Sequence, residues 1–148
     1  MKLEPGHELG PTRWLEVTQQ RVDAFADATD DHQSIHTDPA LAAAGPFGTT
    51  VAHGFLTLSL LVRFLNEVLP PRDGTVTINY GLDRLRFPAP VPVGSRIRGR
   101  FRVEDVAPVP GGLQATFAAT VEREQSEKPV CVAELLLRYL ETPGRAHA

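Results

Sequence analysis

This chain is poor in thiols, in net positive charge and in uninterrupted apolar sequence. Its single cysteine, Cys131, excludes an internal disulfide and a four-cysteine zinc site. It sits in the apolar run 130–137, where a buried thiol in a reducing compartment is expected, and the cytoplasm fits. Fifteen Lys and Arg against eighteen Asp and Glu leave a net charge of −3. Nucleic acid binding is thereby disfavoured, because it needs a basic surface that displaces phosphate counterions. The longest apolar stretch, residues 55–69, is interrupted by Arg63, Asn66 and Glu67, and the N-terminal MKLEPGHELG has no apolar signal region. No membrane span and no secretion are expected. Repeats and low-complexity tracts are also missing. What remains, 148 residues of which 42% are hydrophobic, suits one domain with its own core over 1–148, ending in a flexible tail from about residue 142.

Organisation follows from periodicity and caps. Residues 12–17 read as a short strand, and Thr18 caps a helix that presents Val22, Phe25 and Ala26 on one side and stops near Thr29. Asp38 and Pro39 read as N-cap and first-turn residue of a short Ala-rich helix ending at Gly45. A helix over 54–69 carries apolar groups on nearly every side and is expected to be buried, with Pro70 and Pro71 ending it. The remainder reads as strands at 75–80, 84–87, 96–106, 113–123 and 130–140, separated by Pro, Gly and Asp. One apolar helix followed by about five strands predicts an α+β domain in which an antiparallel sheet curls around that helix. Arg96, Arg98, Arg100 and Arg102 alternate with Ile97, Gly99, Phe101 and Val103, so the guanidiniums share one face. That face is either simply solvated or a landing patch for an anionic cofactor or carrier protein.

Candidate chemistry concentrates in 28–59, ATDDHQSIHTDPALAAAGPFGTTVAHGFLTLS. On a continuous helix Asp31 and His36 would stand about 140° apart, but the connection between two helices lets them converge. A carboxylate beside an imidazole can hold a shared water and exchange protons with it, as general acid–base catalysis requires. His32, His36, Asp30, Asp31 and Asp38 offer donors suited to zinc or iron, although their spacing matches no metal motif. His53 and Gly54 open the apolar helix, whose first N–H groups lack partners and could polarise a docked carbonyl oxygen. Ser59 lies in that helix, where its hydroxyl either bonds a backbone carbonyl or reaches the site.

The run from Ala28 through His53-Gly54 into LTLSLL, followed by INYGLDRLRFPAPVPVGSRIRGR, resembles the MaoC-like dehydratases, the single hot-dog branch containing (R)-specific enoyl-CoA hydratases and NodN-type proteins. The match extends from about Arg13 to Leu140, and its most specific part is Asp31, His36, Asp38-Pro39 and the later His53-Gly54. The resemblance implies a hot-dog fold, a long central helix wrapped by an antiparallel sheet and assembled as a homodimer. It implies that Asp31 and His36 activate the water that adds to carbon 3 of a trans-2-enoyl thioester, and that the Gly54 N–H holds the thioester oxygen. Ser59 and His53 would support the site, and Phe55 and Leu56 would line the acyl pocket. No metal or redox cofactor is implied; coenzyme A or acyl carrier protein enters as part of the substrate. Asp30 stands where the family often has glycine, and Ser34 where a bulkier side chain is frequent.

Two other readings compete. A hot-dog thioesterase would need a carboxylate at the helix, but Glu67, the only acidic residue there, lies roughly 20 Å beyond Gly54. A catalytically silent acyl-thioester binding protein would share the fold without the chemistry.

Overall fold

In this computed structural model, which describes residues 3–142, two short strands come first, β1 (Glu8–Leu9) and β2 (Leu15–Glu16). Four helices follow: α1 (Gln19–Thr29), α2 (Ser34–Thr37), α3 (Pro39–Ala43) and α4 (Gly54–Val68). Four long strands close the chain: β3 (Thr75–Arg86), β4 (Arg96–Val109), β5 (Gly112–Arg123) and β6 (Cys131–Glu141). The sheet is antiparallel throughout, in the order β1-β4-β5-β6-β3, and β2 also pairs with β4. Alternation does the sorting. Ile97, Phe101 and Val103 of β4, Ala115, Phe117, Ala119 and Val121 of β5, and Ala133, Leu135 and Leu137 of β6 all point into one core. Leu56, Leu60, Leu61, Phe64 and Leu65 of α4 fill that core.

Close approach of helix and sheet depends on Gly99, where a Cβ would lie 2.7 Å from the Cβ of Phe64. The expected α+β architecture and the bounds of the central helix are found. Four local expectations change. The strand expected over 12–17 shrinks to Leu15–Glu16, because the Thr12 hydroxyl, rather than a backbone carbonyl, accepts the Gly99 N–H at 3.0 Å. Strands expected separately at 75–80 and 84–87 are one strand, β3, whose register shifts between Asn79 and Gly81 and between Leu82 and Arg84 take up the surplus residues as bulges. β1, too short for any periodicity to reveal, is held by Val103 N–H on the His7 carbonyl at 2.9 Å. The helix α4 is not covered all round: Phe55 and Ser59 are exposed and Leu58 and Val62 half-buried, since the sheet wraps one side only.

The arginine face is a ladder of ion pairs. Arg96 pairs with Glu124, Arg98 and Arg100 share Glu122 at 2.8 and 2.6 Å, and Arg102 meets Glu104 at 2.6 Å. Arg98 also stacks over the Trp14 ring at 4.2 Å. Each guanidinium thus already has a carboxylate, which leaves the solvated face as the reading that fits. Among the described residues no helix is long and apolar enough to cross a membrane. Of the tail expected from about 142, Thr142 is described and its N–H donates to the Gly74 carbonyl at 2.9 Å; residues 143–148 lie outside the described residues.

Candidate active site

Local caps place the first two groups. Thr18 caps α1 by accepting the Arg21 N–H at 3.2 Å, and α1 ends at Asp30, which adopts the left-handed conformation with φ 58°. Asp38 caps α3, accepting the Leu41 N–H at 3.0 Å, with Pro39 in the first turn. Between them the chain makes a helical turn, α2, rather than the open loop expected, and His36 sits on it. Because α1 ends at Asp30 before α2 begins, the 140° separation of a continuous helix does not apply.

His36 is 8% exposed, and its Nδ1–H donates to the Val51 carbonyl at 2.7 Å, which leaves Nε2 with the lone pair. Its own carbonyl accepts from Gln19 Nε2 at 2.7 Å, while the Gln19 amide oxygen accepts the Thr50 hydroxyl at 2.7 Å. Gln19 thus joins α1 to both segments of the site. Nothing in the sequence marked it, since a glutamine in a first helical turn reads as solvated.

His53 is 3% exposed and lies against both groups. Its ring stacks on His36 with centroids 3.8 Å apart, its Nε2–H donates to the Asp31 carbonyl at 2.9 Å, and Asp31 Oδ2 is 3.9 Å away. The Phe25 ring also packs against His53, tilted, with centroids 4.9 Å apart. Ligand atoms of Asp31, His36 and His53 all fall within 4.8 Å of one another. This is the set that could hold a cation, in place of the loop residues considered above. His32 pairs instead with Asp27 at 2.8 Å, and that hydrogen bond holds its imidazolium above the ordinary range. The same three groups can equally hold a water between a carboxylate and an imidazole lone pair.

His53 is also the N-cap of α4, with no side-chain cap, and its carbonyl receives the Leu56 and Thr57 N–H groups at 3.1 and 3.2 Å. The Gly54 N–H makes no hydrogen bond to a described residue, as expected of a first-turn donor. Gly54, His36, Thr57, Phe47, Phe87 and Val130 line one groove of about 400 Å³. The Phe87 ring lies so close to Gly54 that a Cβ there would stand 2.8 Å from it. A larger cleft of about 720 Å³ opens elsewhere, beside Leu69, Gly112 and Tyr139, and contains none of the clustered side chains.

Other expected site residues lie elsewhere. Leu56 belongs to the core, and Phe55 is 65% exposed with its ring edge-on to Phe87 at 6.2 Å; neither lines the groove. Ser59 donates to the Phe55 carbonyl at 2.7 Å and borders a separate apolar groove between α4 and β3. Burial pushes the Cys131 thiol up to about 11, so it stays protonated and inert.

Residues 2–125 match the family described as MaoC like domain. The chain belongs to that family. It is 52% identical over 136 residues to 3-hydroxyacyl-thioester dehydratase Z of Mycobacterium tuberculosis, spanning 91% of this chain and 90% of that protein. It is 48% identical over 131 residues to nodulation protein N of Rhizobium leguminosarum bv. viciae, spanning 86% and 81%. Among solved structures, the (R)-hydratase from A. caviae involved in PHA biosynthesis superposes with a TM-score of 0.76 at 26% identity, covering 95% of this chain and 98% of that one. These likenesses support the hot-dog arrangement of one long helix against an antiparallel sheet.

Glycine at position 30, which the family resemblance implies, has a physical rationale in the backbone of Asp30. A left-handed residue is easiest for glycine, and aspartate tolerates it at a cost. Asp30→Gly is expected to raise stability by about 1 kcal/mol, read as a melting temperature a few degrees higher. An unchanged or lower melting temperature would mean that the Asp30 side chain compensates for its backbone.

Proposed function

We propose that this MaoC-like protein catalyses the reversible, (R)-specific addition of water to trans-2-enoyl thioesters, a hydro-lyase reaction. The observation that carries the proposal is a carboxylate oxygen of Asp31 within 4.8 Å of a ring nitrogen of His36, with His36 lining one groove together with Gly54, whose N–H makes no hydrogen bond to a described residue. The relatives named as dehydratase and (R)-hydratase support the same chemistry. Asp31 and His36 hold the water. One proton passes from it to the pair as its oxygen adds to carbon 3, and one proton passes from the pair to carbon 2, so the step balances without electron transfer. The Val51 carbonyl keeps Nδ1 of His36 protonated and presents Nε2 as the acceptor. The transient negative charge falls on the thioester oxygen, where the Gly54 N–H and the positive end of the 15-residue helix α4 stabilise it. The thioester itself activates carbon 2, so the proposal requires no metal or redox cofactor, and coenzyme A or acyl carrier protein belongs to the substrate.

The test is to mix purified protein with crotonyl-CoA and longer trans-2-enoyl-CoAs while following the enoyl-thioester absorbance and free thiol together. Loss of the enoyl band without thiol release is the expected result. Thiol release would replace this reading with a thioesterase, and a silent outcome on both CoA and carrier-protein substrates would leave only thioester binding.

The active form is proposed to be a homodimer in the cytoplasm. Among the described residues β3 pairs with β6 alone and nearly all of it is exposed; Leu82 borders the apolar groove against Leu58 and Val62 of α4, and Val76, Ile78 and Tyr80 are exposed as well. Such a strand edge ordinarily needs a partner. Light scattering is expected to give twice the 16.1 kDa chain mass, and Ile78→Lys with Leu82→Lys to give the single-chain mass. A doubly substituted protein that stays dimeric would place the interface elsewhere.

A further inference from the structure

Thr57 breaks the apolar run of α4, and its setting differs from that of the other helical hydroxyl residues nearby. Thr29 donates to the Phe25 carbonyl and Ser59 to the Phe55 carbonyl, each at 2.7 Å, four residues back. This is the ordinary way for a helical hydroxyl to satisfy itself. The corresponding acceptor for Thr57 is the His53 carbonyl, already occupied by the Leu56 and Thr57 N–H groups at 3.1 and 3.2 Å. The Thr57 hydroxyl makes no hydrogen bond to a described residue; the residue is only 2% exposed, but its oxygen, unlike the unpaired Nδ1 of His53, is not fully enclosed. It lines the groove that also contains His36 and Gly54. Helical side chains lean towards the N-terminus, and a residue three positions on shares the face of the first. The hydroxyl at position 57 therefore leans towards the turn that begins at Gly54.

We infer that Thr57 is a second hydrogen-bond donor to the thioester oxygen, acting with the Gly54 amide. This inference rests on the hydration reaction proposed above. The hydroxyl proton points at the oxygen that gains charge as water adds to carbon 3. No bond of Thr57 is made or broken; it stabilises charge in place. A donor of this kind acts mainly in the transition state, since the carbonyl of the resting thioester carries little of that charge.

Thr57→Val keeps the shape and removes the donor. It is expected to lower kcat on crotonyl-CoA by about 100-fold with KM changed little, the order seen when one donor to a developing oxyanion is removed. Thr57→Ser restores the hydroxyl and is expected to recover most of the rate, which a purely packing role would not allow. A readout independent of turnover is the carbonyl stretch of bound butyryl-CoA, which cannot be hydrated. Its shift to lower frequency in the parent protein should be smaller in Thr57→Val. Equal kcat in the parent and Thr57→Val, or a change in KM alone, would overturn the inference while leaving the hydration reading intact. A parent protein inactive on every enoyl thioester would sink the hydration reading itself.

Discussion

Asp31→Asn is expected to lower kcat/KM for crotonyl-CoA hydration by about 10³-fold, the middle of the range for a positioned acid–base group. The amide keeps the size of the carboxylate but can no longer take up or release the proton that the addition requires. His36→Gln is expected to do the same, because glutamine can still donate to the Val51 carbonyl yet offers no imidazole lone pair in place of Nε2. The two groups exchange protons with one water, so their effects should not add. The double variant is expected to be little worse than the weaker single one, as is usual for groups that work as a unit. The Asp31 side chain is 53% exposed, so Asp31→Asn should change the melting temperature only slightly. Either single variant turning over within about threefold of the parent would remove that residue from the chemistry.

Gly54→Val should abolish hydration while leaving the fold in place. A Cβ at position 54 would lie 2.8, 2.9 and 3.1 Å from three carbons of the Phe87 ring, closer than carbon atoms tolerate. Phe87 lines the groove yet is 39% exposed, so its ring can swing aside. It then swings into the groove or away from its wall, and in either case the thioester loses its fit over the Gly54 N–H. Displacement of about 1 Å in a positioned reactant costs on the order of 10²-fold in rate, and valine adds two further methyl groups. Steady-state kinetics with crotonyl-CoA provide the measurement, with circular dichroism to confirm the fold. Gly54→Ala combined with Phe87→Ala separates the causes: recovery of rate would assign the loss to the ring, and no recovery would assign it to the space over the amide. A Gly54→Val protein with parental kcat/KM would show that the helix mouth is not where the thioester binds.

Much of the framework was legible because its signals are local. The Thr18 and Asp38 caps, the Pro39 start and the span of α4 each depend on a few neighbouring residues, and the structure places them as the pattern predicts. The alternation of Arg96 to Val103 likewise placed the guanidiniums on one face. The carboxylates that neutralise them were not legible, since Glu122 and Glu124 reach them only through the β4–β5 register. The bulges of β3 escaped the pattern for a related reason. Gly81 looks like a separator in a one-dimensional reading, whereas pairing with β6 carries the strand through it.

The sequence alone determined an α+β domain with one apolar helix, and it marked Asp31, His36, His53 and Gly54 as the residues to watch. Those conclusions rest on periodicity, capping and a spaced motif, all written within short stretches of chain. Only the tertiary structure decided that His53 lies directly on His36 and holds the Asp31 carbonyl, and that Gln19 ties α1 to His36 and Thr50. It also set Phe87 over Gly54, sent Phe55 to the surface and Leu56 to the core, and left the Thr57 hydroxyl in the groove with no hydrogen bond to a described residue. These are contacts between residues as many as 33 positions apart in the chain, from Gly54 to Phe87. They form only when the sheet closes on one side of α4, so no local preference of the chain encodes them.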